Sequence, residues 1–559
     1  MGEKVAVLGA GVAGLTAAHE LADRGFEVHV YERREIPGGK ARSFRTCDGL
    51  PAEHGFRFFP GFYRHLDDTM KRIPYPGEPK KVVLGNLKET SDTQVLQENA
   101  KPIDLPANLW RFDTVWLRNL RLGGPHIFTA NTGLSRHDLG FLGDRLRDLL
   151  NACTERRFAV YEQKAWWDFS DAVHRSDQYK KMVRAMTRSL VAARAEELSV
   201  RTGGYILLQL QLAALAEGHE PRVLNGPTST VWIEPWRSYL ESRGVRFHFR
   251  RTVEEIHCIN GRIREVIVSD DNYMECLVRA RWYVAALPAE IMQCLVTPAI
   301  ARAEPGLANL GKLQLRWMNG VMLYLREDVP MVPGHTIYVD SPWALTSISQ
   351  RQFWDRPELG TVKGVNVSGV LSVDVSNWES NGVIYNKPAR CCTKPEIVHE
   401  VLTQIRQHLA NTDHPHALDD RNILDSFVDE DIQMPNDGVE TVNLEPLLIN
   451  TAGSWANRPE AVTKIENLFL AADYVRTYTD LATMEGANEA ARRAVNGILD
   501  RSHSAGPRCS VWPLSYPGGL FTLKRRRDRK RLRRADLTAF EQAAELIKQL
   551  ADWSQKSKP

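Results

Sequence analysis

The chain has 559 residues, with 72 Lys and Arg against 69 Asp and Glu and a formal net charge of +3. An apolar share of 43% and a charged share of 25% exclude a disordered chain, a collagen-like repeat and a small disulfide scaffold. The near-balance hides an asymmetry: Lys524 to Arg534 holds nine basic residues and one Asp, a net +8, which leaves −5 for the rest.

Lys4 to Leu8 is a short apolar run before Gly9, with no charged and apolar leader pattern ahead of it, so no secretory signal is expected. Residues 12–24 show helical spacing with Gly25 as a stop, and 26–32 alternate like a strand; together they open a βαβ unit. Residues 77–104 are polar and read as a loop or insertion, and 136–218 are mostly helical in pattern. Strand signals return at 245–250, 262–268 and 278–286, and residues 315–325 and 361–375 alternate like strands of a further sheet. A helix is expected at 394–410, and a last buried strand at 468–472 precedes a helix through about Leu499. Residues 501–523 look like a linker, followed by the basic run and a final helix over 536–553. The longest apolar stretch, Tyr205 to Ala216, carries two glutamines and is too short to span a bilayer. It reads either as a buried helix or as part of a membrane-dipping entrance.

The eight cysteines (47, 153, 258, 276, 294, 391, 392 and 509) form no C-x-x-C pair, which suits a reducing compartment. No Cys/His cluster has zinc spacing, His414-Pro-His416 reads as a solvated loop, and no metal is expected. Trp166 to Phe169 is read as core, with a channel lining as the alternative.

Gly9-x-Gly11-x-x-Gly14 follows a strand and opens a helix, with Ala13 in its first turn and Glu32 ending the next strand. Gly9 permits a tight turn, Gly11 lets backbone approach a pyrophosphate, and Gly14 lets helix pack on strand. The helix N-terminus supplies partial positive charge, and Glu32 can accept both hydroxyls of an adenosine ribose. The strand, helix, second strand and acid together predict dinucleotide binding.

Arg33-Arg34-Glu35-Ile36-Pro37 leads into Gly38-Gly39-Lys40-Ala41-Arg42-Ser43, which resembles the G-G-x-x-R-[ST] element of FAD enzymes in the flavin amine oxidase and phytoene desaturase superfamily. Far downstream, Ala471-Ala472-Asp473-Tyr474 and Met484-Glu485-Gly486-Ala487 are similar to the C-terminal FAD motif of plant-type phytoene desaturases. Ala472 stands where that family usually has Gly. The resemblance implies that Asp473 holds the ribityl or pyrophosphate region and that amides near Met484 to Ala487 point at the flavin pyrimidine oxygen. It also implies that the backbone of Val253 clamps the adenine. Glu53-His54-Gly55-Phe56-Arg57 through Tyr63 is similar to the segment that runs beside the isoalloxazine in the phytoene, ζ-carotene and hydroxysqualene-type branch. His54 and Arg57 are thereby the candidate catalytic residues, with a structural histidine and simple core as the alternative reading. Gly55, Phe56 and Arg57 join the cofactor-binding set, together with Arg33, Lys40 and Arg42, the last expected to reach phosphate or the flavin edge.

The expected fold is α/β, a Rossmann-type FAD-binding domain interleaved with an α+β substrate-binding domain. Its FAD segments are 1–76, 226–300 and 461–500. A mostly helical insertion spans 77–225, a substrate sheet with helices 301–460, and a linker, basic run and helix 501–559. The implied activity is dehydrogenation of an apolar isoprenoid or polyene-like substrate by hydride transfer to flavin N5, with O₂ or a quinone as electron acceptor. A flavin amine oxidase and a non-redox flavin-dependent isomerase are the alternatives. The protein is expected in the cytoplasm. The basic run 524–534 keeps three readings: a solvated tail, a tether for peripheral membrane contact, or a nucleic-acid contact. No nucleic-acid fold motif accompanies it, so nucleic acid ranks last.

Overall fold

The computed structural model describes residues 2–78, 80–106, 134–213, 220–329, 331–355, 359–434 and 441–555. The end of the apolar stretch, 214–216, lies outside them.

Five short strands form one fully parallel sheet in the order Leu468–Leu470, Trp282–Ala285, Lys4–Leu8, Glu27–Tyr31, Arg246–His248. They come from three widely separated stretches of chain. Helices cover both faces, so the strands read as near-continuous apolar runs, as a buried parallel sheet requires. Behind them, helix Met484–Arg501 packs along helix Val12–Ala22. Small residues at 490, 491 and 494 permit the close approach, and the Asn488 amide donates to the Thr16 hydroxyl at 3.0 Å. A three-stranded antiparallel sheet, Thr252–Ile259, Arg262–Ser269 and Glu275–Val278, sits in the same unit.

A seven-stranded mixed sheet makes the second unit. Its order is Ile423–Val428, Asn319–Leu325, Gly369–Val375, Thr346–Ser349, Gly334–Tyr338, Asp92–Leu96, Ile103–Pro106. One face packs on helix Lys394–Leu409 through Leu371, Val373, Val375, Ile397 and Val401. The loop expected at 77–104 is partly strand instead: Asp92–Leu96 pairs in parallel with Gly334–Tyr338, and Leu87–Glu89 pairs with Arg222–Leu224. Only Leu96 of the first strand is fully buried, so no apolar alternation announces it.

Helices between Arg136 and Ala213 enclose a third core around Trp166, Phe169, Tyr179 and Tyr205. This places Trp166 and Phe169 in the core, as expected. The Tyr205 hydroxyl donates to the Leu149 carbonyl at 2.7 Å, and Tyr205 to Leu208 are buried. The C-terminal region is not a loose tail. Residues 504–518 form no helix or strand, but Cys509 is buried in the core of the parallel-sheet unit, and helices Leu520–Ala535 and Leu537–Gln555 dock on the helical region. No helix among the described residues is long and apolar enough to cross a membrane. All eight cysteines are free.

Candidate functional site

The candidate site lies at the carboxyl ends of the parallel strands, where open α/β sheets bind ligands. Gly9 follows strand Lys4–Leu8 with φ +99, and a Cβ there would lie 2.7 Å from the Ala286 carbonyl oxygen. A Cβ on Gly14 would lie 1.9 Å from the Gly9 carbonyl oxygen, so only glycine lets this helix start so close to its strand. Gly11 is the N-cap of helix Val12–Ala22, offers no side-chain cap, and is followed by no acidic residue in the first turn. The Ala13 amide in that first turn has no acceptor among the described residues. Gly38 and Gly39 face this terminus: Gly11 and Gly38 bridge, Gly38 N–H donates to Ala10 O at 2.8 Å, and a Cβ on Gly39 would come within 3.1 Å of Gly11 Cα. A side chain on either strand of this turn would fill the cradle. Its chemistry fits a pyrophosphate.

Glu32 is buried beside the loop. Its carboxylate accepts Ala10 N–H at 2.7 Å and Arg34 N–H at 3.0 Å. Burial pushes this carboxyl above its ordinary range despite the two amides. Val253 is half-buried at a register shift of its strand.

The basic residues of the 33–42 turn are engaged by an acidic pair that the sequence did not disclose. Arg42 is buried; its guanidinium donates to Asp431 at 2.6 Å, to both Glu445 oxygens at 3.2 Å and to Gly39 O at 2.9 Å. Arg34 reaches the same two acids, Arg33 reaches Glu445 at 3.1 Å, and Lys40 lies 3.7 Å from Glu290. Thus Arg42 ties the glycine turn to the segment 431–445 rather than extending toward a ligand. Burial would raise the Glu445 carboxyl, yet Arg42 and Arg34 override it and hold it at about 2. His54, Asp431 and Glu445 lie close enough together to resemble a metal site, but the guanidinium groups already neutralise both carboxylates.

Residues 54–58 cross the face of the seven-stranded sheet. Gly320 N–H donates to His54 O at 2.7 Å, and Gly55 lies so close to Asp374 that a Cβ would meet its carboxylate at 2.5 Å. His54 Nδ1 stands 2.6 Å from Asp429. Burial alone would lower this histidine, but Asp429 reverses that and raises it to about 8. Phe56 meets His335 edge-on at 5.1 Å and belongs to an apolar cluster with Met322, Tyr324, Ile348 and Val370. Burial holds His335 down at about 4 and pushes Asp374 up to about 7. Arg57 donates to the Phe56 and Lys40 carbonyls, while its buried Nε has no partner among the described residues.

At the far end, Asp473 follows strand Leu468–Leu470. Its carbonyl accepts from Arg458 at 2.7 Å, and its carboxylate makes no hydrogen bond among the described residues. The helix expected near Met484 begins there, with Thr483 as N-cap accepting Gly486 N–H at 3.2 Å; Met484 and Ala487 are half-buried in its first turn. Glu485 is placed differently from the cofactor-binding expectation. Its carboxylate accepts His65 N–H and Leu66 N–H, each at 2.9 Å, and lies 2.6 Å from His65 Nδ1. It caps helix Arg64–Lys71, whose own N-cap, Tyr63, offers no side-chain capping bond.

Among families of known proteins, the one described as flavin containing amine oxidoreductase matches residues 12–499. A probable zeta-carotene desaturase from Synechococcus elongatus is 25% identical over 522 residues, 89% of this chain and 98% of that protein. A 15-cis-phytoene desaturase from the same organism is 23% identical over 538 residues, 92% and 99% of the two chains. Wild-type putrescine oxidase bound to putrescine superposes with a TM-score of 0.61 at 12% identity, covering 89% of this chain and 99% of that one. That last likeness is one of fold.

Proposed function

We propose that this flavin-dependent oxidoreductase, a chain that belongs to the flavin containing amine oxidoreductase family, binds FAD and desaturates an apolar isoprenoid or polyene-like substrate. The observation that carries the reading is the end-to-end correspondence with a carotenoid desaturase, which runs over 98% of that relative. The residues at the site fit the cofactor. Gly9, Gly11 and Gly14, with the open helix terminus at Ala13, would take the pyrophosphate against Gly38 and Gly39, and Glu32 the adenosine ribose. Val253 would meet the adenine, the unengaged Asp473 carboxylate the ribityl region, and the amides near Met484 and Ala487 the pyrimidine edge. When bound, FAD supplies a two-electron acceptor for a C–H bond of the substrate, with O₂ or a quinone as the final oxidant.

The chain's own residues provide the surroundings. Phe56, Phe58 and the uncharged His335 make an apolar wall that excludes water. Arg42, Asp431 and Glu445 hold the glycine turn against the substrate sheet. Arg57 fixes residue 56 relative to residue 40 and keeps one buried donor unspent. His54 carries a proton at neutral pH, paired with Asp429.

The test is anaerobic single turnover of the purified yellow protein with a ζ-carotene-like polyene and, separately, with primary amines. Bleaching by the polyene and reoxidation by a quinone is the expected result. Bleaching by amines alone, with rapid peroxide formation in air, would replace the desaturase reading by the amine oxidase one.

A further inference from the structure

The basic run lies on helix Leu520–Ala535, and that helix has two sharply different faces. The inner face is docked. Asp528 accepts Cys153 N–H at 2.9 Å and Arg156 Nε–H at 2.8 Å. Arg525 donates to the Pro517 carbonyl at 2.7 Å, Arg529 pairs with Glu155 at 2.7 Å, and Leu532 is buried against Cys153 and Phe540. The outer face carries Arg526, Arg527, Lys530, Arg531 and Arg534, all exposed and none with an ion pair or hydrogen bond among the described residues. Positions 527, 530, 531 and 534 recur at helical spacing and continue N-terminally into Leu523 and Leu520, which are 52% and 64% exposed. One stripe therefore runs from two bare leucines into five unneutralised cations.

The same end of the helix adjoins a cleft. Four residues separate Leu520 from Ser515, and residues 512–515 form one wall of a cleft of about 150 Å³. Its other walls are Phe62 and His65, Leu212 and Ala213, and Glu485 at the start of the helix assigned to the flavin. The strap is held to both sides: Trp512 N–H donates to His65 Nε2 at 2.9 Å, and Ser515 exchanges bonds with Gln209 at 2.8 and 3.1 Å. Its volume is below the few hundred Å³ of a typical small-molecule site.

We propose that the outer face of helix Leu520–Ala535 docks on an anionic lipid bilayer, with Leu520 and Leu523 entering the headgroup boundary and the cleft at 512–515 held at the membrane surface. Several cations on one face meet anionic headgroups, and apolar side chains at one end enter the acyl boundary. Nucleic acid would use the cations but has no role for two exposed leucines at the end of the cationic stripe. Docking itself needs no flavin chemistry; only the delivery of substrate through the cleft rests on the desaturase reading above.

The test is flotation of the holoprotein with vesicles of phosphatidylcholine alone and of phosphatidylcholine mixed with phosphatidylglycerol. Salt-sensitive binding to the mixed vesicles only is expected. The R526Q/R527Q/K530Q/R531Q variant should bind them about 10²–10³-fold more weakly, and L520S/L523S should also bind more weakly. Both variants should keep the wild-type flavin content, since every changed side chain is exposed. Full-strength vesicle binding by the four-charge variant overturns the proposal. So does a wild-type protein that binds an oligonucleotide and ignores both vesicle types. Turnover separates the two readings: the variants should fall behind on polyene dissolved in vesicles and match wild type on detergent-dispersed polyene. A wild type that docks but turns over polyene in neither form would refute the desaturase reading and leave the docking intact.

Discussion

Replacing Arg42 by Ala asks whether this arginine is a ligand-binding group or a structural weld. In the structure its guanidinium spans Asp431 and Glu445, both buried, with donor–acceptor distances of 2.6 and 3.2 Å. Burial would raise the Glu445 carboxyl, yet Arg42, helped by Arg34, brings it from 4.5 to about 2. A depression of that size corresponds to about 3 kcal/mol of stability in the ionised state. Arg34 retains part of it, whereas stranding two buried carboxylates adds a cost, so the expected loss at pH 7 is about 3 kcal/mol. The sign follows from the direction of the shift. A carboxyl depressed on folding contributes stability above its unfolded pKa near 4.5 and loses it as pH falls toward about 2. The gap between wild type and R42A should therefore be widest at neutral pH and narrow below about 4.5. Urea titration of the apoprotein by tryptophan fluorescence at several pH values measures both features. Wild-type apoprotein stability in R42A at pH 7, with only flavin affinity reduced, would refute the weld and restore a direct cofactor contact.

Two further changes test the site from other sides. Glu32→Ala removes the acceptor of two backbone amides, each charge-assisted bond being worth about 1.5–3 kcal/mol, along with the ribose contact. Flavin affinity should fall at least tenfold by fluorescence titration, and undiminished occupancy would contradict the ribose assignment. His54→Gln removes a histidine that Asp429 raises to about 8 against the effect of burial. Its contribution, about 2 kcal/mol by the size of the shift, is full below about 6.5 and lost as pH rises through about 8. Wild-type stability should fall across that window and the variant's should stay flat; parallel profiles would show that the pair carries no linkage.

The parallel sheet was legible because a strand buried on both faces has to be apolar nearly throughout, and three of its five members announce themselves that way, while Glu27–Tyr31 shows itself by alternation. The glycine loop was legible for a related reason. Gly9 and Gly14 stand where any Cβ would strike a carbonyl, so sterics write them into the sequence. Strand Asp92–Leu96 was not legible. It lies toward the sheet's edge between partners that leave it half-buried, and DTQVL has no alternation to betray it.

The site's polar side was hidden by a different cause. Asp431 and Glu445 act on residues 33–42 across roughly 400 positions, and an ion pair has no period, cap or turn signature that local pattern could reveal. Glu485 is the instructive intermediate. Its place in a helix's first turn was read correctly, but its carboxylate serves the neighbouring helix Arg64–Lys71, because that terminus lacks a side-chain cap of its own. The basic run makes the same point on the surface. Charge alone could not distinguish a tail from a helix; Asp528, the single acid in the run, decides it. By engaging Cys153 and Arg156, its carboxylate joins buried Leu532 and the Arg529–Glu155 pair in setting the rotation of the helix and so which cations face outward. Asp528→Asn is therefore the subtler companion to the charge-removal variant. It leaves every cation in place but loosens the face they share, so a membrane role set by orientation should weaken while one set by net charge alone should strengthen.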